Sequence, residues 1–271
     1  MRVGFIGGGN MAEAMIAGLR RAAAGDEIVV VEPDDARRRM LAERFGAIVL
    51  DAPRPPLDRA DVVVLAVKPQ QAREACRQLG RLSLHADAVV LSIAAGIRAR
   101  DLARWLPAAR IVRSMPNTPA LIGAGIAGLA ARADVPAPQR DAAERVMRAC
   151  GEVVWFDDER QLDAVTAVSG SGPAYVFHFI EGLQAAAERA GLAAPQAREL
   201  ALSTVVGAAL LARQSAEPAS VLRARVTSKG GTTAAALAVL DAAGVSATLG
   251  QAVLAAQRRA EELGDEFGSL D

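Results

Sequence analysis

Lysine is nearly missing from this chain. Of 31 basic side chains in 271 residues, only Lys68 and Lys229 are lysines, and the rest are arginines. Aromatic residues are scarce too, at 3%, whereas alanine alone supplies 60 positions. Helices this rich in alanine carry little bulk and pack closely through small side chains. Cysteine is down to Cys76 and Cys150, which excludes a disulfide framework, and their spacing fits no metal site. His85 and His178 have no companion at ligand or triad spacing, so no metal is expected. His178, inside the apolar stretch 175–180, is expected to be packed. Neither sign of charge is in excess, with 31 basic against 31 acidic residues. A nucleic-acid binder carries a basic stripe, so that class is excluded. No apolar run reaches the roughly 18 residues of a membrane span. The longest, residues 200–212, is broken by Ser203 and Thr204 and reads as a buried helix. Met1 leads straight into an apolar strand without a charged leader region, and a cytoplasmic protein is expected.

What the chain does have is alternation. Residues 3–6, 28–31, 47–50, 62–67, 88–93 and 111–114 are short β-branched runs; stretches 11–24, 34–45, 70–79 and 98–106 between them are helical in pattern. Continuous apolar strands separated by helices predict a parallel sheet covered on both faces. A further strand pair, 125–129 and 153–156, flanks a helix over 138–150 and completes the sheet. Past about residue 160 only helices are predicted, over 173–190, 195–214, 218–225, 233–243 and 246–263. Three of them open with proline, which suits a first helical position. The fold class is therefore α/β: a Rossmann-type dinucleotide-binding domain over residues 1–160, then an all-α domain over 161–271. Some helices of the second half, such as 201–212, are apolar nearly all round. So short a domain has too little interior to bury them, so a partner surface is expected.

Gly7-Gly8-Gly9-Asn10-Met11-Ala12 lies between the first strand and the first helix and fits G-x-G-x-x-G/A. Gly7 would make the tight turn, Gly9 would let backbone approach a pyrophosphate, and the helix start would supply unpaired N–H groups. Glu32 ends the second strand, where an acid accepts hydrogen bonds from the adenosine ribose of NAD(H). Arg37, Arg38 and Arg39 follow it, either as a solvated helix face or as contacts for a 2′-phosphate. Ala66-Val67-Lys68-Pro69 and Ala94-Ala95-Gly96 follow two later strands, on the edge where such sheets bind ligands. Met115-Pro116-Asn117-Thr118-Pro119 is a rigid turn presenting an amide, and Ser169-Gly170-Ser171-Gly172-Pro173 leads into a helix. Ser228-Lys229-Gly230-Gly231-Thr232-Thr233 precedes another helix and forms an anion cradle to which a carboxylate is suited. No acid–base pair is evident, which suits hydride chemistry carried by a cofactor.

With Phe5-Ile6 before the glycine loop, Ser92-Ile93 before Ala94, residues 163–175 and Val226-Thr227 before Ser228, these motifs span nearly the whole chain. In that order they resemble the pyrroline-5-carboxylate reductase family. The resemblance implies hydride transfer from NADPH or NADH to the C=N carbon of 1-pyrroline-5-carboxylate, giving L-proline. It implies that Ile6, Gly7, Gly8, Gly9, Asn10 and Met11 hold the pyrophosphate. Ala66, Val67, Lys68, Pro69, Ala94, Ala95 and Gly96 would line the ribose and nicotinamide, with Asn117 nearby. Ser228, Gly231, Thr232 and Thr233 would bind substrate: the N–H groups of the last three take its carboxylate, and the Thr233 hydroxyl sits by the ring nitrogen. It also implies a homodimer or larger homo-oligomer, with a helical domain like that of 6-phosphogluconate dehydrogenase and the two ligands meeting across the dimer. Two departures stand out: Lys229 replaces the proline of many members, and Glu32 replaces the small or polar residue of NADPH users.

Overall fold

The computed structural model describes residues 1–22, 25–107 and 109–268. The expected helix end at Ala24 and the chain end at Asp271 lie outside the described residues. Two compact units emerge, Met1–Ser171 with Ala255–Asp271, and Gly172–Leu254.

The first unit is built on a sheet of eight strands: β1 (Arg2–Ile6), β2 (Glu27–Val31), β3 (Ile48–Leu50), β4 (Val62–Leu65), β5 (Val89–Ser92), β6 (Arg110–Met115), β7 (Gly125–Ala131) and β8 (Gly151–Trp155). Their order is β3-β2-β1-β4-β5-β6-β7-β8. The pairs from β3 to β6 are parallel, as the alternation predicts, but β7 runs antiparallel to β6. Only a short 3-10 turn, Thr118–Ile122, connects those two strands, and a parallel return needs a crossover of a dozen residues or more. The sheet is therefore mixed where a wholly parallel one was expected.

The helices α1 (Asn10–Ala22), α2 (Asp35–Phe45), α3 (Pro69–Leu79), α4 (Ala99–Trp105) and α5 (Ala137–Arg148) cover both faces. Side chains alternate across a strand, and β4 shows the result. Val62 and Val64 join one core with Met15, Ile16 and Val146; Val63 and Leu65 join the other with Leu79, Ile97 and Leu102. Cys76 and Cys150 are buried in these layers, and desolvation pushes their thiols up to about 12 and about 11. Both are packing residues without thiolate chemistry.

After β8 the chain forms α6 (Gln161–Val165) and a π-helical turn, Thr166–Gly170. A Cβ on Gly128 would lie 3.1 Å from Leu162 and 2.9 Å from Val165, so this segment is seated on β7. The sheet unit accordingly extends through Ser171, not only to residue 160 as the sequence reading has it. The second unit holds α7 (Gly172–Arg189), α8 (Ala194–Gln214), α9 (Ala219–Arg225), α10 (Thr232–Ala242) and the first turns of α11 (Val245–Gly268), whose later residues count with the sheet unit. Within Gly172–Leu254 only Ala197 and Ala201 are buried. Phe177, Val206, Leu210 and Val239 are each more than half exposed. His178 is exposed beside them, contrary to expectation, because its apolar neighbours face out of the single chain. No single helix among the described residues is long and apolar enough to cross a membrane.

Candidate active site

In an open α/β sheet, ligands bind beyond the carboxyl ends of the strands at the point where strand order reverses. Here that point lies between β1 and β4, which pair in parallel although β2 and β3 intervene in sequence. The glycine loop and the Ala66 turn meet there. Gly7 donates its N–H to the Val31 carbonyl at 2.8 Å, and Ala66 donates to the Ile6 carbonyl at 2.8 Å. Gly7 has φ +97°, and a Cβ on it would lie 2.6 Å from the Ala66 oxygen, so only glycine fits. Gly9 has no heavy atom within 4 Å of the place where a Cβ would stand. That leaves the backbone open to a ligand. Among the described residues no backbone acceptor takes the N–H groups of Gly9, Asn10, Met11 or Ala12; the first such bond is Glu13 N–H to the Gly9 carbonyl at 2.9 Å. Free N–H groups at a helix start with an uncovered glycine beside them fit a dinucleotide pyrophosphate.

Glu32 stands at the end of β2 and is tied into this loop. One carboxylate oxygen accepts the Gly8 N–H at 2.8 Å, and the other accepts the Asp34 N–H at 3.0 Å. Neither of the alternatives for the arginine run describes all three residues. Arg37 donates to the Gly8 carbonyl at 2.6 Å and pairs with Glu13 at 2.9 Å. Arg38 donates to the Glu32 and Pro33 carbonyls at 2.8 and 2.7 Å. Only Arg39 is solvated, paired with Asp35 one turn earlier.

Lys68 caps α3 in an extended conformation with Pro69 at the first helical position. It is exposed, and no ion pair or hydrogen bond engages its ammonium among the described residues. Ala94, Ala95 and Gly96 follow β5, and the Phe267 ring lies 3.0 Å from a Cβ built on Gly96. Asn117 follows β6 and is buried. Its Oδ1 accepts the Ile126 N–H at 3.0 Å and its Nδ2 donates to the Ser169 carbonyl at 3.1 Å. The Met115–Pro119 turn and the Ser169–Gly170 turn, separate motifs in the sequence, are thus one assembly.

Four charges that sequence reasoning did not single out strap the same region together. Arg113, on β6 and 4% exposed, pairs with Glu159 at 2.7 Å, and Arg98 pairs with Asp163 at 2.8 Å. Burial lowers the Arg113 pKa from its ordinary value, and the Glu159 charge opposes that shift. The same Glu159 oxygen accepts the Ala99 N–H at 2.6 Å, capping α4 directly after the Ala94–Gly96 turn.

The remaining predicted residues lie in the helical unit. Gly230 has φ +74°, and Gly231 is the N-cap of α10. Gly231 donates its N–H to the Ser228 carbonyl at 3.1 Å, closing the turn. With that N–H engaged, the N–H groups of Thr232 and Thr233 are left without a backbone acceptor among the described residues. The hydroxyls of Thr232 and Thr233 make no hydrogen bond among the described residues, and Lys229 is exposed without an ion pair.

The chain matches two family models, one described as NADP oxidoreductase coenzyme F420-dependent over residues 2–96 and one as pyrroline-5-carboxylate reductase dimerisation over residues 159–263. It is 43% identical to the pyrroline-5-carboxylate reductase of Pseudomonas aeruginosa over 98% of both chains. The chain belongs to the pyrroline-5-carboxylate reductase family. The reductase of Arabidopsis thaliana is 36% identical over 97% of this chain and 95% of its own. The solved reductase of Coxiella burnetii superposes with a TM-score of 0.91 at 40% identity, covering 96% of this chain and 97% of that one. The Plasmodium falciparum reductase, solved with NADP bound, gives 0.84 at 27% identity over 97% and 98%. The family resemblance in the motifs is thereby borne out. In this family member the exposed apolar helices fall largely within the stretch matched by the dimerisation model.

Proposed function

We propose that the chain reduces the C=N bond of 1-pyrroline-5-carboxylate to L-proline and works as a homodimer in the cytoplasm. The observation that carries this reading is the presence, on one family member, of a dinucleotide cradle at the strand-order reversal and an anion-ready helix start at Thr232 and Thr233. The nicotinamide cofactor, NADPH or NADH, supplies the hydride to the imine carbon.

The chain's own residues bind, orient and protonate. Gly9, Asn10 and Met11 hold the pyrophosphate through backbone N–H groups, while Gly7 and Gly8, whose N–H groups go to the Val31 carbonyl and to Glu32, shape the loop, with Ile6 ending the strand beneath them. Glu32 faces the adenosine ribose. Ala66, Val67, Lys68 and Pro69, with Ala94, Ala95 and Gly96, line the ribose and nicotinamide side. Asn117 acts by bracing the turn after β6, since both ends of its amide are engaged. The Thr232 and Thr233 N–H groups hold the substrate carboxylate, with Ser228 and Gly231 shaping the turn. Catalysis then rests on positioning and on fixed dipoles, with no nucleophile needed. An imine takes hydride best when protonated, and the Thr233 hydroxyl, which has no competing partner among the described residues, delivers that proton or orients the water that does.

Purified protein should oxidise NADH or NADPH when 1-pyrroline-5-carboxylate is added, read as loss of nicotinamide absorbance. No oxidation with either cofactor would sink the reading. Thr233→Ala should lower kcat by about tenfold or more while leaving the Kd for the reduced cofactor within about twofold. Unchanged kcat would remove the hydroxyl from the mechanism.

A further inference from the structure

We infer that Glu32 makes this chain prefer NADH to NADPH. The inference rests on the reductase reading only in taking a nicotinamide dinucleotide as the ligand; the preference itself comes from the end of β2.

The two cofactors differ at one place, the adenosine 2′-position, which carries a hydroxyl in NADH and a phosphate dianion in NADPH. In a dinucleotide fold that position lies at the end of the second strand. Here the group standing there is a carboxylate, and it is not free to swing away. Its two oxygens are held by the N–H groups of Gly8 and Asp34 at 2.8 and 3.0 Å. Each oxygen keeps a lone pair for a ribose hydroxyl, so a 2′-hydroxyl gains a charge-assisted hydrogen bond. A 2′-phosphate meets a fixed negative charge instead.

A basic neighbour could cancel that charge, as the arginine run suggests, but the structure commits the candidates elsewhere. Arg37 is bound to the Gly8 carbonyl, Asn10 and Glu13. Arg38 closes on the carbonyls of Glu32 and Pro33 and on Asp35. Arg39 pairs with the other Asp35 oxygen at 3.0 Å. Beyond β3, Arg54 is paired with Asp51. Binding NADPH would have to break one of these pairs and still leave Glu32 facing the phosphate. The arginines therefore build the loop, and the half-buried Glu32 carboxylate, with which none of their side chains pairs, sets the selection.

The test measures dinucleotide binding directly, without substrate. Calorimetric titration of the purified full-length chain should give a Kd for NADH lower than that for NADPH by about tenfold or more. In Glu32→Gln, which keeps one acceptor for the Gly8 N–H but drops the charge, the ratio should fall toward one, mainly through tighter NADPH binding. The kcat/KM ratio for the two cofactors with 1-pyrroline-5-carboxylate should move in parallel. Equal or tighter NADPH binding by the unaltered chain would overturn the inference, as would a Glu32→Gln variant that weakens both cofactors together and keeps their ratio, since that is the signature of a purely structural carboxylate. If both dinucleotides bind but no substrate-dependent oxidation follows, the reductase reading fails and the preference stands. If neither binds, the dinucleotide site itself is wrong and the preference goes with it.

Discussion

Arg113→Ala is expected to destabilise the sheet unit by about 3 kcal/mol, read as a fall in the denaturant midpoint at fixed protein concentration. The residue is 4% exposed in the middle of β6 and is held to Glu159 at 2.7 Å. Removing one member of a buried pair typically costs about 3–5 kcal/mol, because the other charge is stranded. Glu159 is 29% exposed, so water relieves part of that penalty and the lower end applies. A second change separates the causes. Adding Glu159→Gln to Arg113→Ala should recover part of the loss, because the amide oxygen still caps the Ala99 N–H without an unpaired charge. No recovery would mean that the lost packing of the arginine stem, and not the stranded carboxylate, sets the cost.

Leu210→Asp should break the proposed dimer. Leu210 is 52% exposed in the single chain, and Val206, one turn earlier on α8, is 56% exposed. Burying a leucine contributes about 1.5–3 kcal/mol, and a carboxylate in its place brings its own desolvation cost. In a two-fold dimer each change occurs twice. A combined loss of about 4 kcal/mol or more raises the dimer Kd on the order of a thousandfold. Light scattering behind size exclusion should show the monomer at micromolar concentration, and turnover should fall with the dimer. A variant that stays dimeric and fully active would remove this face of α8 from the interface.

The fold was legible because its signals are local. A run such as Val62–Leu65, bounded by turns and followed by an amphipathic helix, has one reasonable placement in a sheet covered on both faces. The glycine loop was legible from its context between strand and helix. What escaped was made by contacts between distant positions. Arg113 is only one residue of the strand run 111–114 until Glu159, 46 residues away, is brought beside it. Residues 161–170 are too short and too mixed for a helical period to declare itself, so although part of a motif lies there, no helix is expected in the segment that fixes the end of the sheet unit. Backbone accounting was invisible as well: nothing in Ser228-Lys229-Gly230-Gly231 says that Gly231 spends its N–H on the Ser228 carbonyl. His178 is exposed in the single chain for a related reason: a sequence reveals an apolar face without saying which chain covers it.

The two lysines offer a practical handle. Both are exposed and have no ion pair among the described residues, and no other side chain in the protein carries a primary amine. Acylating reagents that target amines therefore have two side-chain addresses, one at the turn after β4 and one in the loop before α10. In most proteins such labelling is scattered over the surface and says little about any one place. Here a single peptide map would report on the two proposed ligand regions separately, with shielding of Lys68 tracking the dinucleotide and shielding of Lys229 tracking the carboxylate.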